Sequence, residues 1–302
     1  MFGALVDVIL PVVLVAGVGV VLARRFAIDI GSVNKVSLYG FTPALAYQTV
    51  VTTSISPAAG ARLTLAYLVA MALAAAVAFL AARVALGRET AGSRSVVVGC
   101  TIIGNNGNFG LPIALLALGR EGLDQALVIF MASLIVMFSV GPALLGARDG
   151  ILAGIRRVST LPVVWALVLG LGVRAADLST PRPLMSAVEI MAAAAVPLVL
   201  LCLGLQLGQS QAVRLTRPVV LSVALRAVVV PLAAYGVGLV MGLPDLGLRS
   251  LALAAAMPTA VNAYMLAREF SDDPQTAASA VAVSTFVSLP LIALVVTLLP
   301  AL

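Results

Sequence analysis

GNNGNFGLP, residues 104–112, sets three asparagines, three glycines and a proline within an otherwise apolar run. Pro112 has no N–H to give, and its ring clashes with the carbonyl one turn back. Gly104, Gly107 and Gly110 ease any unwinding of the flanking backbone. Backbone groups freed at membrane depth must face protein or a watery cavity. Asn105 and Asn108, three apart, share a helix face and offer carboxamides that replace lost hydrogen bonds or meet a ligand.

The rest of the chain puts this stretch inside a bilayer. Of 302 residues, 62% are hydrophobic and 10% charged, and the mean hydropathy is +1.16. A soluble domain runs at about 45–50% apolar and about 25% charged, so a cytosolic enzyme is excluded. With about 20 apolar residues per crossing, the length fits roughly ten transmembrane helices and no soluble domain. Apolar runs place them near 4–23, 33–54, 63–86, 95–119, 124–146, 159–175, 184–207, 216–241, 247–268 and 275–299. The N-terminal run lacks a basic segment ahead of it and reads as an uncleaved first helix.

Missing residues narrow the chemistry. There is no histidine, which removes HExxH metalloproteases, Ser/His hydrolases and His-ligated metal or haem centres. Cys100 and Cys202 lie in separate apolar runs and read as small buried residues. Neither metal nor cofactor is called for. The net charge of +6 comes from seventeen arginines and one lysine against twelve acids, dispersed between apolar runs. That placement speaks for membrane orientation, not for nucleic acid.

Arg24, Arg25, Lys35, Arg83, Arg88, Arg94, Arg148, Arg156, Arg157, Arg214, Arg217 and Arg268 fall at odd-numbered connections. Only Arg62, Arg120, Arg174, Arg182 and Arg249 fall at even ones. The positive-inside rule then puts the odd connections in the cytoplasm and both termini outside it. The longest polar connection, 148–158, separates five helices (1–147) from five more (159–302). An odd number per half means that the second half enters the membrane in the opposite sense, as an inverted-topology repeat requires. Pro11 and Pro162, and Pro43 and Pro197, hold matching places in the two halves.

The matching interruption in the second half is AAAMPTAVNAYMLAREF, residues 254–270, with Pro258 at the break and Asn262 one turn on. One broken helix alone means a kink that packs against its neighbours. Two at corresponding places of an inverted repeat point to a central transport site. If they cross, two half-helix N-termini, just after Pro112 and Pro258, converge near the midplane. Each carries about half a positive charge, which suits a carboxylate.

Arg226, in the eighth predicted helix, has two readings: counter-charge for an anionic substrate, or a guanidinium bonded to the carbonyls of a broken helix. Asp7 and Glu189 lie near predicted helix ends, so no carboxylate sits at a span centre for a proton or sodium site. Thr42, Tyr47, Gln48, Gln206, Ser284 and Thr285 read as interhelical or back-bonding residues.

GNNGNFGLPIALLALG, together with MPTAVNAYMLAREF and DPQTAASAVAVSTFVSLP, resembles the auxin efflux carrier family, whose bacterial members include predicted malonate and other organic-acid permeases. The resemblance covers the whole chain. It implies an all-α, five-plus-five inverted repeat with broken helices 4 and 9 crossed, as in bile-acid symporters and sodium–proton antiporters. A scaffold of helices 1, 2, 6 and 7 would carry a transport domain of helices 3–5 and 8–10. Members form homodimers and work by an elevator-like slide. By motif, Asn105 and Pro112 match the family's first crossover, and Pro258 and Asn262 its second. Asn106 and Asn108 stand where the pattern has a hydroxyl and an apolar residue, which makes the pocket richer in amides. The plant members' long central loop is reduced to about a dozen residues.

The expectation is an inner-membrane carrier for a small organic anion, with Asn105, Asn106, Asn108, Gly110, Pro112, Arg226, Pro258 and Asn262 as candidate site residues. The alternatives are a cation-coupled symporter or antiporter, which needs a buried carboxylate; a channel, which needs polar rings; an intramembrane enzyme, which needs an acid/base pair or a metal cluster at a membrane face, neither of which is visible; and a receptor derived from a carrier, which would keep both motifs.

Overall fold

The computed structural model describes residues 5–87, 89–145, 156, 158–209 and 213–298. Most of the connection expected at 148–158 lies outside them. Among the described residues the chain is an all-α membrane protein, and its one extended contact is an isolated antiparallel bridge. The helices are α1 (5–25), α2 (30–52), α3 (Pro57–Ala85), α4 (Ala91–Ile102), α5 (Asn106–Leu145), α6 (Pro162–Ala175), α7 (Arg182–Gly208), α8 (Arg217–Val240), α9 (Asp245–Ala255), α10 (Val261–Phe270) and α11 (Pro274–Leu298). Six of these, α1, α3, α5, α7, α8 and α11, are long and apolar enough to cross a membrane.

Proline shapes these helices in a regular way. Five π-helical turns, 5–9, 37–41, 106–110, 136–140 and 225–229, each end two residues before a proline: Pro11, Pro43, Pro112, Pro142 and Pro231. A proline ring strikes the carbonyl four residues back. A wider i→i+5 turn moves that carbonyl aside and keeps the helix continuous. Pro197 and Pro290 sit inside helices without such a turn.

The 40 residues of α5 do not form one rod. A straight helix of that length would span about 60 Å, twice the roughly 30 Å of a bilayer core. Gly119 lies within it at φ 70°, ψ −162°, a region essentially closed to side chains. A Cβ built on Gly122 would lie 2.1 Å from Leu118 Cβ and 3.3 Å from the Ala114 carbonyl oxygen. Residues eight apart on a continuous helix are separated by about 12 Å, so the chain doubles back at Gly119 into two legs, 106–118 and 120–145.

Two sets of helices result. Helices α1, α2, α6 and α7 pack mainly on one another, and α3, α4, α5 and α8–α11 gather around the breaks between α4 and α5 and between α9 and α10. The α1–α7 contact is close because small residues meet there: a Cβ on Gly204 would lie 1.9 Å from the Ala16 carbonyl oxygen. Small residues let membrane helices approach when lipid supplies no hydrophobic drive between them. The largest fully buried side chains, among them Tyr67, Ile102, Phe109, Leu111, Leu253 and Met257, surround the two breaks. Leu14, Leu80, Trp165, Leu169, Leu232 and Phe286 are exposed on the outside, an apolar exterior fit for lipid.

Candidate functional site

At each break one helix ends and another begins within a few residues, and the two breaks lie against each other. Gly104 and Thr259 form the antiparallel bridge. The Asn105 N–H donates to the Pro258 carbonyl at 2.8 Å, and the Ala260 N–H donates to the Ile103 carbonyl at 2.9 Å. The Thr259 hydroxyl donates to the Cys100 carbonyl at 2.8 Å, and its N–H donates to Ser284 Oγ of α11 at 3.1 Å. These bonds answer the accounting problem of a broken helix in lipid, where each unpaired backbone group costs several kcal/mol.

The first break is not at the proline. The chain unwinds at Ile103–Asn105 and resumes helix at Asn106, six residues before Pro112. The expected half-helix start after Pro112 is therefore corrected to the Gly104–Asn105 pair. Pro112 acts instead on the turn before it, 106–110, through its π-helical accommodation. The second break is as expected, with Pro258 at the break and α10 starting at Val261.

Gly104 is required by what presses on it. A Cβ there would lie 2.1 Å from Arg226 Nη2 and 2.8 Å from its Cζ. Arg226, 2% exposed, donates from Nε to the Met257 carbonyl at 2.8 Å and from Nη1 to the Thr101 carbonyl at 2.9 Å. These carbonyls belong to the C-terminal ends of α9 and α4, each worth about half a negative charge. One guanidinium thus balances two helix ends. Of its two readings, the geometry matches bonding to the carbonyls. The space beside Arg226 is about 10 Å³, the lower limit for a single water.

The opposite ends of the breaks, the N-termini of α5 and α10, meet an open space. By helix geometry their first N–H groups lack intrahelical acceptors. Gly107, Asn108, Val261 and Asn262 of those first turns line a cavity of about 270 Å³. Its far wall comes from α2, with Asn34 and Lys35, and from α7, with Gln206. An adjoining cavity of about 300 Å³ shares Gly31, Asn34, Asn105, Gln206, Val261 and Met265 with it. Asn105, 8% exposed, lines both, and its carboxamide makes no hydrogen bond among the described residues. Gln206 Oε1 is buried without a partner among them.

Three of the eight candidates therefore line the cavity: Asn105, Asn108 and Asn262. Asn106 turns the other way, and its Nδ2 donates to the Tyr67 hydroxyl of α3 at 3.0 Å. Gly110 and Pro112 are buried in the helix behind, and Pro258 and Arg226 lie at the carbonyl side of the crossing. The sequence did not single out Thr259, Lys35 or Asn34, and it read Gln206 as a packing residue. Thr259 was signalled by its place directly after Pro258, and Lys35 by being the chain's single lysine. The described residues hold no group of three or more His, Cys, Asp or Glu side chains able to bind a metal.

Comparison with known proteins follows the same features. Residues 152–296 match the family described as "Membrane transport protein". A Rhizobium meliloti (strain 1021) protein named "Putative malonate transporter" is 26% identical over 194 residues, 61% of each chain. The second half of the chain is thus similar to a family of membrane transport proteins. A second relative, an "Uncharacterized transporter" of Methanothermobacter thermautotrophicus, is 30% identical over 186 residues, again 61% of each chain. The chain thus spans about three-fifths of the length of the curated relatives it matches, and the match to the membrane transport family covers the half that contains Arg226, Pro258 and Asn262.

Proposed function

We propose that the protein is a secondary carrier for a small organic anion, a carboxylate, in the inner membrane. The observation that carries this reading is the convergence of two helix N-termini and three unengaged amides on one cavity, while the helix C-termini are neutralised by Arg226. An anion entering the cavity meets about one net positive charge from the two N-termini without displacing any protein ion pair. The α5 and α10 first turns supply N–H donors, and Asn105, Asn108 and Asn262 supply carboxamide N–H groups that orient the carboxylate.

In this reading the chain crosses the membrane ten times. The α4–α5 break and the α9–α10 break each belong to one interrupted crossing, and the Gly119 reversal separates two more. The halves on either side of residues 148–158 are inverted repeats, with both chain ends outside the cytoplasm. Helices α1, α2, α6 and α7 form the scaffold of a homodimer, and the remaining helices slide against it as an elevator. Because α2 and α7 line one wall of the cavity and the crossing lines the other, such a slide would carry the anion away from its scaffold contacts. Rate would then depend on exchange between access states, not on bond chemistry.

The test is Asn262→Ala in proteoliposomes loaded with radiolabelled carboxylates. It removes one amide at a helix end and leaves the backbone crossing intact. Transport is expected to fall at least tenfold, the loss of one charge-assisted hydrogen bond, with unchanged elution of folded protein in detergent. Wild-type transport by the variant would overturn the site.

A further inference from the structure

The joined cavities contain one charged side chain. Of all residues lining the two spaces, Lys35 alone carries a formal charge, and it is the single lysine of a chain whose other cations are arginines. It stands in the second turn of α2 beside Asn34, across the cavity from the helix ends. The carboxylate nearest to it in sequence is already engaged. Asp29 Oδ1 accepts from the Gly31 N–H at 3.2 Å, and Oδ2 accepts from the Ser32 N–H at 3.1 Å and the Ser32 hydroxyl at 2.6 Å. No ion pair to Lys35 occurs among the described residues.

The charge count follows. Two helix N-termini of about +0.5 each face Lys35 at +1 across one cavity, so the space holds about two positive charges at two separate places. Asp29, already engaged by Ser32 and Gly31, acts on the ammonium only through space, so a monocarboxylate at the helix ends leaves Lys35 without an ion-pair partner. The unengaged Asn105 carboxamide and Gln206 Oε1 lie between, where the middle of a longer solute would pass.

We propose that Lys35 is a specificity-determining residue that reads a second negative charge, so that the cavity selects small dicarboxylates over monocarboxylates of the same carbon number. The proposal rests on the carboxylate reading of the crossing and adds a residue and a charge class to it. One carboxylate sits at the N-termini of α5 and α10 with Asn105, Asn108 and Asn262, and the other lies against the Lys35 ammonium. Lysine suits this task as a mobile point charge on a long stem, able to meet acids of slightly different length.

Purified wild type, Lys35→Gln, Lys35→Arg and Asn262→Ala are titrated calorimetrically with propionate and with malonate at neutral pH, at low and high salt. Wild type is expected to bind malonate about tenfold or more tighter than propionate, the scale of one charge-assisted contact, with the preference shrinking at high salt. Lys35→Gln should lose that preference while keeping propionate affinity within about twofold, and Lys35→Arg should retain most of it. Equal weakening of both acids in Lys35→Gln, or no malonate preference in wild type, overturns the proposal. Asn262→Ala separates the two readings: it should weaken both acids. If it binds both normally while Lys35→Gln still abolishes the preference, the crossing is not the site and the role of the lysine stands.

Discussion

Replacing Gly104 by alanine should damage the crossing through one contact. Gly104 is not at positive φ, so alanine is allowed by the backbone, and any cost is steric. Its Cβ would lie 2.1 Å from Arg226 Nη2, 2.8 Å from Cζ and 3.1 Å from Nη1, against the end of a side chain held by two carbonyls. Overpacking a tight interior costs about 1–3 kcal/mol. Moving the guanidinium sacrifices at least one hydrogen bond from a charged donor, about 1.5–3 kcal/mol. The combined loss of about 3–6 kcal/mol corresponds to a fall in melting temperature of at least about 6 °C. The assay is thermal unfolding in detergent of wild type, Gly104→Ala, Arg226→Met and the double variant. If the clash with Arg226 is the cause, methionine's flexible chain accommodates the methyl, and the double variant unfolds near Arg226→Met, with a coupling of about 2 kcal/mol or more. Additive losses would refute the claim that Gly104 exists to admit the guanidinium, and an undisturbed Gly104→Ala would refute the packing itself.

Two further outcomes follow from local geometry. Gly119→Ala forces a side chain into a backbone region essentially reserved for glycine and should cost about 1–3 kcal/mol, read as a lower melting temperature with unchanged helix content by circular dichroism. Asp29 caps α2 from an exposed position, and its carboxyl is held below the ordinary carboxylate range by the Ser32 hydroxyl first, then by the Ser32 and Gly31 N–H groups. A depressed carboxyl stabilises the fold above its unfolded value and loses that contribution as pH falls through its folded value. The melting-temperature difference between wild type and Asp29→Ala should therefore be full at neutral pH and close in acid; a difference independent of pH would sink the capping role.

Much of the architecture was legible because lipid imposes strict rules on composition. Apolar runs marked the helices to within a few residues, and the two Gly/Asn/Pro interruptions marked where the chain unwinds. The error at Pro112 came from assigning the break to the strongest helix breaker in the motif. A π-helical turn absorbs a proline at small cost, as it does at five places among the described residues, whereas the unwinding at Gly104 is fixed by a partner distant in sequence. Asn106 was misplaced for a related reason: adjacent residues at a helix start point in different directions, so Asn105 faces the cavity and Asn106 faces Tyr67. Lys35 and Gln206 were hidden because each lies on a helix whose orientation toward the crossing is set by tertiary packing.

The two roles open for Arg226 in the sequence are separated by the polarity of the crossing. Every interrupted helix brings one C-terminus and one N-terminus to the same depth, so two crossed interruptions create about one negative and one positive charge in low dielectric. Arg226 bonds the carbonyls of Thr101 and Met257 and lies at the negative pole. Were it placed at the positive pole, the carbonyl ends would stay unbalanced and the cavity would gain a permanent charge that no Asp or Glu among its lining residues answers. For the proposed carrier, an anion that is to leave as readily as it enters is better held by helix ends and amides than by a fully buried guanidinium. The carbonyl side of the crossing is thus filled by a bonded side chain, while its N–H side opens on the cavity.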